Sequence, residues 1–468
     1  MAGRILEELR PLFEPESIAI IGASSSPHKW GNWMISRPIL SGYRGRIYPV
    51  NPRESSILGL KAYRKVTMIP DPVELAIITI PAPHVPAAMQ ECVEKGIKVA
   101  IIVSAGFAET GAEGKALQDR VCEIGRRGGI RIMGPNVMGM WSSPSRFNTA
   151  FRFTPPSGHI SFVSQSGTMG AYLLEVACAK GYGFNKFISV GNQADLDVVD
   201  YLAYLGQDPE TRVIVMYLEG IKDGSRFARI SRDVTRSKPI IVHKAGFTVY
   251  GARATLSHTA SMAGSDEIFD SVSRQAGLIR TYDVSHAFDL AEALVKQPLP
   301  PGNRVGIIAG GGGYCVVTTD ACGSLGLEVP ELPQEAVAKI QGLLLPHAPP
   351  PRNPIDLAAD PRPVTLARIA EVVAQQECID GVITMAPVSI AGQSPDRVRD
   401  LITSAEILAD IPVRYGKPLL ATSLRTHMQG VAYDIMRERN IPFFEFPEEC
   451  ARAMFGLVRY RGIKSGSA

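Results

Sequence analysis

The sequence SIAIIGASSS at residues 17–26 decides the fold: a short apolar run ends in glycine and serines, and a helical pattern follows. Similar runs recur about every 20–30 residues, with helical periodicity between them. They lie at 17–22, 47–50, 75–80, 99–103, 130–133, 159–163, 187–190, 213–218, 240–243, 305–308, 381–385 and 418–422. Short, continuously apolar strands separated by helices are typical of parallel sheets buried on both faces. The sequence therefore predicts an α/β fold built from doubly wound sheets.

Length and composition describe a globular chain of about three domains. The 468 residues carry 49 Lys+Arg against 46 Asp+Glu, a formal net charge of +3, so we expect neither nucleic acid nor a membrane surface as the main partner. Seven cysteines without a CxxC pair argue against a disulfide framework and against a structural zinc site, and we expect no metal. The charged start and the lack of a run of ~20 apolar residues predict a cytoplasmic protein.

Stretches rich in proline or serine suggest two domain boundaries. Serine and proline gather at 141–145 and at 155–158, and QPLPPG at 297–302 stiffens the chain before a new strand. The predicted domains are 1–144, 145–298 and 302–468.

The turn after the first strand could hold a phosphate, because its backbone N–H groups and the following helix dipole favour anions. Ser24 and Ser25 could add hydroxyl donors, and Lys29 could add a charge. The turn lacks the G-x-G-x-x-G pattern, and the second strand ends in VNPR at 50–53 without an acidic residue for a ribose. Arg53 suggests a further phosphate near the ribose. The alternative is an ordinary tight turn with a surface arginine.

Two features of the second predicted domain could serve phosphoryl chemistry. SQSGTMG at 164–170 follows a strand and opens a helix, which favours an anion, although serine is also a common helix cap. A loop of small residues at 254–266 contains His258. A histidine in such a loop is, on its own, most often a solvated surface group.

Four segments of the first predicted domain together resemble a known CoA-binding domain. They are GAS at 22–24, YPVNP at 48–52, SAGFAE at 104–109 and GPN at 134–136, and the domain is that of the NDP-forming acyl-CoA synthetases. That superfamily includes succinyl-CoA synthetase and the ADP-forming acetate–CoA ligases. The resemblance implies a Rossmann-like domain with CoA phosphates in the first turn, adenosine at 50–53 and the pantetheine arm beyond. The residues it assigns to CoA are Gly22, Ala23, Ser24, Ser25, Lys29, Val50, Asn51, Arg53, Ile80, Pro81, Ser104, Ala105, Gly106, Phe107 and Asn136.

The rest of the chain resembles the ADP-forming acetate–CoA ligases. The matching segments are SVGNQAD at 189–195, YLEG at 217–220, KAG at 244–246, SHTASMAGSD at 257–266 and QAGLIR at 275–280, with NPID at 353–356 in the third domain. The resemblance implies two flavodoxin-like domains after the first, and it makes His258 the phosphorylated nucleophile. Neutral imidazole suits that role near pH 7. Glu219 is our candidate partner for its other ring nitrogen, and Ser164, Ser166, Gly167 and Thr168 are the candidate phosphate donors.

The sequence departs from the family at three places. Ala260 stands where the family has glycine after His-Thr, Val137 replaces the cysteine of Gly-Pro-Asn-Cys, and the pair Lys29-Trp30 is bulky for the CoA turn. The Val137 departure bears on acyl preference. The third domain also has a glycine-rich turn, AGGGGY at 309–314, without the Walker ending; of a helix-start phosphate site and a close-packing turn, we favour the turn.

We find no ATP-grasp nucleotide-binding portion in the sequence. The resemblance therefore implies the α subunit of an acyl-CoA synthetase, with CoA and a small carboxylic acid as substrates. ATP, ADP and Mg²⁺ would be bound through an ATP-grasp β subunit in an α2β2-type assembly. The alternatives are a non-catalytic, CoA-binding regulatory protein and a Rossmann oxidoreductase, which the missing dinucleotide fingerprint disfavours. The sequence does not identify the acid.

Overall fold

The computed structural model describes residues 2–259, 265–360, 362–387 and 394–466. The chain divides into two compact units, an N-terminal unit, Met1–Val284, and a C-terminal unit, Ser285–Ala468. Both consist of mainly parallel sheets flanked by helices, which confirms the predicted fold class. The predicted boundaries near residues 144 and 300 stay predictions.

The first sheet of the N-terminal unit has five parallel strands in the order β2-β1-β5-β6-β7. Every residue of β1 and β5 is buried, and successive residues belong to different apolar clusters. Ile20 and Ile77 belong to one cluster, and Ile21 and Ile78 belong to another on the opposite face. Helices therefore cover both faces of this sheet. The elements are α1 (Ala2–Phe13), β1 (Ser17–Ile21), α2 (Trp30–Ser41), β2 (Arg46–Val50), the β3 (Ser56–Ile57) and β4 (Leu60–Lys61) hairpin, β5 (Leu75–Ile78), α3 (Val85–Lys95), β6 (Val99–Ile102), α4 (Ala112–Gly128) and β7 (Arg131–Met133).

The second sheet of this unit has seven strands in the order β14-β13-β12-β10-β11-β8-β9. Its elements are β8 (Met140–Ser142), β9 (Phe147–Asn148), β10 (Ser157–Ser164), α5 (Gly167–Ala179), β11 (Phe184–Ser189), α6 (Val198–Gln207), β12 (Val213–Leu218), α7 (Gly224–Thr235), β13 (Ile240–Lys244), α8 (Val249–Thr259), α9 (Asp266–Ala276) and β14 (Ile279–Arg280). The antiparallel hairpin β8–β9 pairs with β11, so the serine- and proline-containing segment at 141–145 is part of a sheet. Trp141 holds it there: its ring is buried and its Nε1 donates to the Phe184 carbonyl at 3.3 Å.

The C-terminal unit contains a third sheet of five parallel strands in the order β16-β15-β17-β18-β19. Its elements are α10 (Ser285–Lys296), β15 (Val305–Ala309), α11 (Gly312–Ser324), α12 (Gln334–Gln341), β16 (Ile355–Asp356), α13 (Pro363–Ala374), β17 (Gly381–Met385), α14 (Pro395–Tyr415), β18 (Leu419–Thr422), α15 (Val431–Glu438), β19 (Phe443–Phe444) and α16 (Pro447–Ser465). Within the described ranges, no helix combines the length and apolarity needed to cross a membrane.

The glycine-rich turn of the C-terminal unit lies between β15 and α11. Among described atoms, a Cβ added to Gly311 or Gly313 would meet nothing within 4 Å, and one on Gly310 would meet only the Met385 sulfur at 3.9 Å. Gly312 alone is close to a neighbour, because its Cβ would lie 3.0 Å from Asp356 Oδ2. Close packing in the described structure therefore accounts for one of these glycines and not for the others.

Strand order determines where ligands can enter each sheet of the N-terminal unit. In the first sheet, β2 lies on one side of β1 and β5 lies on the other. In the second sheet, β11 and β12 lie on opposite sides of β10 in the same way. Such switch points open a crevice at the carboxyl ends of the two central strands. The first crevice lies beside Gly22 and Ile80, and the second beside Ser164 and Glu219.

Candidate functional site

A cavity of about 860 Å³ in the N-terminal unit is lined by helices and by loops that follow strands of both of its sheets. It brings together many of the predicted site residues: Ser104, Ala105, Asn136, Ser166, Gly167, Thr168 and Glu219. The connector between β7, which ends at Met133, and β8, which begins at Met140, supplies part of the wall through Asn136, Val137 and Met138. The cavity therefore joins the predicted pantetheine border to the predicted phosphate turn.

Other predicted CoA residues lie around the first crevice and do not line this cavity. They are Gly22, Ala23, Ser24, Ser25, Lys29, Val50, Asn51, Arg53, Ile80 and Pro81. Gly22 has a φ of +94°, and its N–H donates to the Val50 carbonyl at 3.0 Å. A Cβ on Gly31 would lie 1.9 Å from the Gly22 carbonyl oxygen, so α2 starts directly against the turn. Both glycines are required for this close approach.

Glu54, a carboxylate that sequence reasoning missed, follows β2 and hydrogen-bonds the first turn. Glu54 accepts hydrogen bonds from the Ser25 hydroxyl and from the Ser25 N–H, the latter at 3.4 Å. Asn51 links the same groups, since its Nδ2 donates to the Ala23 carbonyl at 2.8 Å and to Glu54 Oε1 at 3.3 Å. The prediction of no acidic group at the end of the second strand considered only residues up to 53. An acidic side chain does occupy that end of the crevice.

The loop after β6 is organised by Glu109. Its Oε1 accepts from the N–H groups of Gly106, at 2.6 Å, and Phe107, at 3.1 Å, while Oε2 accepts from the Asn192 side chain. Burial opposes ionisation of Glu109, but these hydrogen bonds outweigh it and hold the pKa of the carboxyl below its usual value. Gly106 and Phe107 thus shape the loop from outside the cavity, and Glu109 lines it as a carboxylate.

The connector is fixed by contacts with both sheets. Asn136 has a φ of +62°, which asparagine tolerates better than most residues, and its N–H donates to the Ser104 carbonyl at 3.1 Å. Its Nδ2 lies 3.4 Å from Asn192 Oδ1. Asn192 in turn donates from its backbone N–H to the Pro135 carbonyl at 2.9 Å. The loop at 189–195 therefore holds Asn136, a residue of the predicted pantetheine border, in place, a role its sequence did not indicate.

The predicted phosphate turn is the amino-terminal end of α5. Ser166 caps the helix, because its Oγ accepts from the Met169 N–H at 3.3 Å, and the buried Ser164 donates to the Ser166 carbonyl at 2.6 Å. Ser166, Gly167 and Thr168 line the cavity, whereas Ser164 lies beneath them. A helix start with a cavity before it favours an anion there.

Gln165 connects the phosphate turn to Glu219 across the second crevice. Its Oε1 accepts from the N–H groups of Glu219 and Gly220, the latter at 3.0 Å, and its Nε2 donates to the Gly220 carbonyl at 2.6 Å. Glu219 is buried and faces the cavity. Lys244, at the end of the neighbouring strand, is buried too, and burial lowers its pKa despite the nearby Asp266 and Glu219 carboxylates. The end of β12 is therefore positioned by one amide side chain.

His258 belongs to α8, and its side chain lies outside the described part of the structure. Ala260 lies outside the described residues altogether. The pairing of His258 with Glu219 and the effect of Ala260 stay predictions. Among the residues that are described, no group of three or more His, Cys, Asp or Glu side chains could hold a metal ion.

Comparison with known proteins shows the family. A CoA binding domain model matches residues 16–142, and a succinyl-CoA ligase like flavodoxin domain model matches residues 157–294, which confirms the Rossmann-like and flavodoxin-like descriptions. The alpha subunit of the ADP-forming acetate–CoA ligase II of Pyrococcus furiosus is 38% identical over 96% of both chains. The ADP-forming 4-hydroxybutyrate–CoA ligase of Nitrosopumilus maritimus is 32% identical over 96% of this chain and 64% of its own.

A solved structure is also similar. The acetyl-coenzyme A synthetase 1 of Candidatus Korarchaeum cryptofilum, in complex with phosphate and ADP, has a TM-score of 0.86 and 32% identity over 98% of both chains. These relatives are ligases, so they favour the enzyme over the regulatory alternative. The chain belongs to the family of ADP-forming acetate–CoA ligase alpha subunits.

Proposed function

We propose that this chain is the catalytic α subunit of an ADP-forming acid–CoA ligase, which converts a small carboxylic acid, CoA and ATP into acyl-CoA, ADP and phosphate. The observation that supports this most is the cavity, because one space adjoins the predicted pantetheine border, the start of α5 and Glu219. Its volume of about 860 Å³ lies within the range of pockets that hold small-molecule ligands.

The proposed reaction has three balanced steps. An imidazole nitrogen of His258 attacks the γ-phosphorus of ATP, a P–N bond forms, and ADP leaves with a proton released. The substrate carboxylate then attacks that phosphorus, the P–N bond to His258 breaks, the imidazole takes up a proton in place of the one released, and an acyl phosphate forms. Finally the CoA sulfur attacks the acyl carbon, the C–O bond to phosphate breaks, and the departing phosphate takes up the thiol proton.

Residues of this chain would stabilise charge in each step. The N–H groups at the start of α5, around Gly167 and Thr168, would bind the transferred phosphoryl oxygens without reorganisation. Glu219 would hold the second ring nitrogen of His258, which fixes its tautomer and stabilises the positive imidazolium during attack. Ser104, Ala105 and Asn136 would border the thiol arm, with CoA phosphates at Ser24 and Ser25 and adenosine at Asn51 and Arg53.

We propose that nucleotide and Mg²⁺ are held by an ATP-grasp β subunit in an α2β2-type assembly in the cytoplasm. Two of the relatives are named as alpha subunits, and the Nitrosopumilus ligase extends beyond the part that this chain matches. The three larger sheets of the described residues, leaving aside the two-stranded β3–β4 hairpin, support the proposed division into CoA-binding, phosphohistidine and additional domains.

The test is to combine the chain with its ATP-grasp partner and ATP labelled at the γ-phosphate. We expect a label on the chain that is lost at low pH and stable at high pH. The label should be absent in His258→Asn, and it should leave the chain when the carboxylic acid substrate and CoA are added. His159→Asn is the matched control, because His159 lies near the opposite end of β10 and its ring nitrogen contacts the Glu210 carbonyl, at 3.0 Å. An active complex without label on His258 would refute the scheme.

A further inference from the structure

We propose that the acyl group of the substrate packs into an apolar corner of the cavity formed by Trp30, Val103, Val137 and Met138. The corner favours acids with a branched or aromatic body over acetate and over dicarboxylic acids. This inference rests on the proposed ligase function and specifies its substrate class. Of the four residues, the sequence linked only Val137 to acyl preference, as a departure from the family.

The corner lies where the reacting carbonyl must be. A Cβ on Gly167, in the phosphate turn, would lie 2.9 Å from Met138 Cβ, and one on Gly191 would lie 2.7 Å from Val137 Cγ1. The Met138 N–H donates to Ser189 Oγ at 3.1 Å, which fixes the backbone of the wall. An acyl phosphate bound at the start of α5 would therefore have Val137 and Met138 beside its acyl chain.

Trp30 offers an uncovered aromatic surface to this corner. It is the first residue of α2, it lines the cavity, and 48% of it is exposed. Its neighbour Trp33, 5.6 Å away between ring centroids, is held by a hydrogen bond from Nε1 to the Thr149 carbonyl at 3.1 Å. Because Gly31 seats the helix on the first turn, the Trp30 backbone is fixed as well. A rigidly mounted, half-exposed indole in a cavity gains most when an apolar ligand covers it.

The polar side of the cavity is already occupied by internal hydrogen bonds. The Asn192 amide donates to Glu109 and, at 3.1 Å, to Gln118 Oε1. Glu109 also accepts from two backbone N–H groups of its own loop. A hydroxyl or second carboxylate on the substrate would have to break these bonds before it could form new ones.

The two lysines of the cavity wall are engaged in the same way. Lys222 donates to the backbone carbonyls of Asn192 and Gln193, at 3.1 and 2.5 Å. Lys115 pairs with Asp119 at 2.6 Å, one turn along α4. Because both ammonium groups already have partners within the chain, the apolar corner is the better site for the acyl chain of the substrate.

The experiment measures dissociation constants of the full chain by titration calorimetry, for CoA, acetyl-CoA, isobutyryl-CoA, phenylacetyl-CoA and succinyl-CoA. These thioesters share the CoA part, so differences between them report the acyl site without the partner subunit. We expect phenylacetyl-CoA to bind about tenfold more tightly than acetyl-CoA, which corresponds to burying a few methylene equivalents of apolar surface. Isobutyryl-CoA should lie between them, and succinyl-CoA should bind no better than acetyl-CoA.

The variants assign the preference to the corner. Trp30→Ala should reduce the tenfold preference for phenylacetyl-CoA over acetyl-CoA to about twofold. This ratio cancels any effect of the variant on the shared CoA part, and an unchanged far-UV circular dichroism spectrum shows that the variant is folded. Leu40→Ala is the matched control, since Leu40 is exposed on the same helix and does not line the cavity. Equal affinities for all thioesters, or a preference that survives in Trp30→Ala, would overturn the inference with CoA binding intact. No binding of CoA itself would instead contradict the proposed function, and the inference with it.

Discussion

Replacing Gln165 by alanine tests whether one side chain positions the end of β12. Gln165 forms hydrogen bonds with the Glu219 N–H, the Gly220 N–H and the Gly220 carbonyl, the last two at 3.0 and 2.6 Å. In Gln165→Ala these backbone groups lose their partner at a place where no strand continues the sheet's pairing. The effect should therefore reach both the stability of the N-terminal unit and the position of Glu219.

The magnitude follows from the number of bonds. Each intramolecular hydrogen bond contributes about 1 kcal/mol net, so three bonds correspond to about 3 kcal/mol. Gln165 is half-buried, and water that enters the gap can satisfy part of the lost pairing. We expect Gln165→Ala to lower the free energy of unfolding by about 2 kcal/mol. We also expect phosphorylation of His258 to slow by about 10–100-fold, because small misplacements of catalytic groups carry such penalties.

Urea unfolding followed by far-UV circular dichroism measures the first effect, and rapid-quench labelling with the partner and labelled ATP measures the second. Gln165→Glu retains an acceptor oxygen for the two N–H groups but loses the donor to the Gly220 carbonyl and adds a negative charge near Glu219. It should therefore label slowly with a smaller loss of stability. Gln375→Ala, which removes one exposed bond of 3.1 Å to Tyr415, is the control and should change neither by much. The positioning role would be refuted if Gln165→Ala had the same free energy of unfolding and the same labelling rate as the unmodified chain.

Three further predictions follow from other contacts. Asp208→Ala strands the fully buried Lys186 ammonium, whose partner lies 2.8 Å away, and should cost about 3–5 kcal/mol in urea unfolding; a loss below 1 kcal/mol would show that water reaches the pair. Burial opposes ionisation of Asp208, but the Lys186 charge outweighs burial and holds the Asp208 pKa below its usual value. The stabilisation by this pair is therefore complete above the unfolded-state pKa of about 3.9 and is lost as the pH falls through the lower folded-state pKa. Between pH 6 and pH 2, the free energy of unfolding should fall more steeply in the unmodified chain than in Asp208→Asn. Glu54→Gln removes a carboxylate that contacts the turn proposed for the CoA phosphates, and it should raise CoA affinity several-fold in low salt, with a smaller gain in high salt. Unchanged calorimetric affinity would separate Glu54 from the phosphate site. Gly191→Ala combines a φ of +63° with a Cβ 2.3 Å from the Pro135 carbonyl oxygen and should lower the melting temperature well beyond Gly96→Ala, where φ is +77° but the space is open; equal shifts would mean that the loop relaxes freely.

The strands could be predicted because buried parallel strands are continuous apolar runs. The predicted runs at 213–218 and 381–385 coincide with β12 and β17 at both ends. The β8–β9 hairpin could not be recognised, because its serine and proline turn has the composition of a linker and its partner β11 lies some forty residues further on. Long-range pairing, and not local composition, makes this segment part of a sheet.

The candidate site residues that follow a strand directly could be predicted from the sequence. Those that act through hydrogen bonds to residues far away in the sequence could not. Ser166 and Glu219 follow apolar runs, so the switch points of the sheets bring them to one cavity. Glu54, by contrast, matters because it bonds a serine 29 positions away, and Gln165 because it bonds a strand end 54 positions away. No pattern in a single sequence reveals such pairs.

The connector between β7 and β8 has a consequence for evolution and for protein engineering. It supplies Asn136, Val137 and Met138 to the cavity wall, although it belongs to neither sheet. The two sheets are therefore not interchangeable modules joined by a passive hinge, since exchanging one for that of a relative also exchanges, or breaks, the wall they share. Chimaeras joined before residue 134 and after residue 139 should differ in the acids they accept, even when every strand and helix comes from the same two parents.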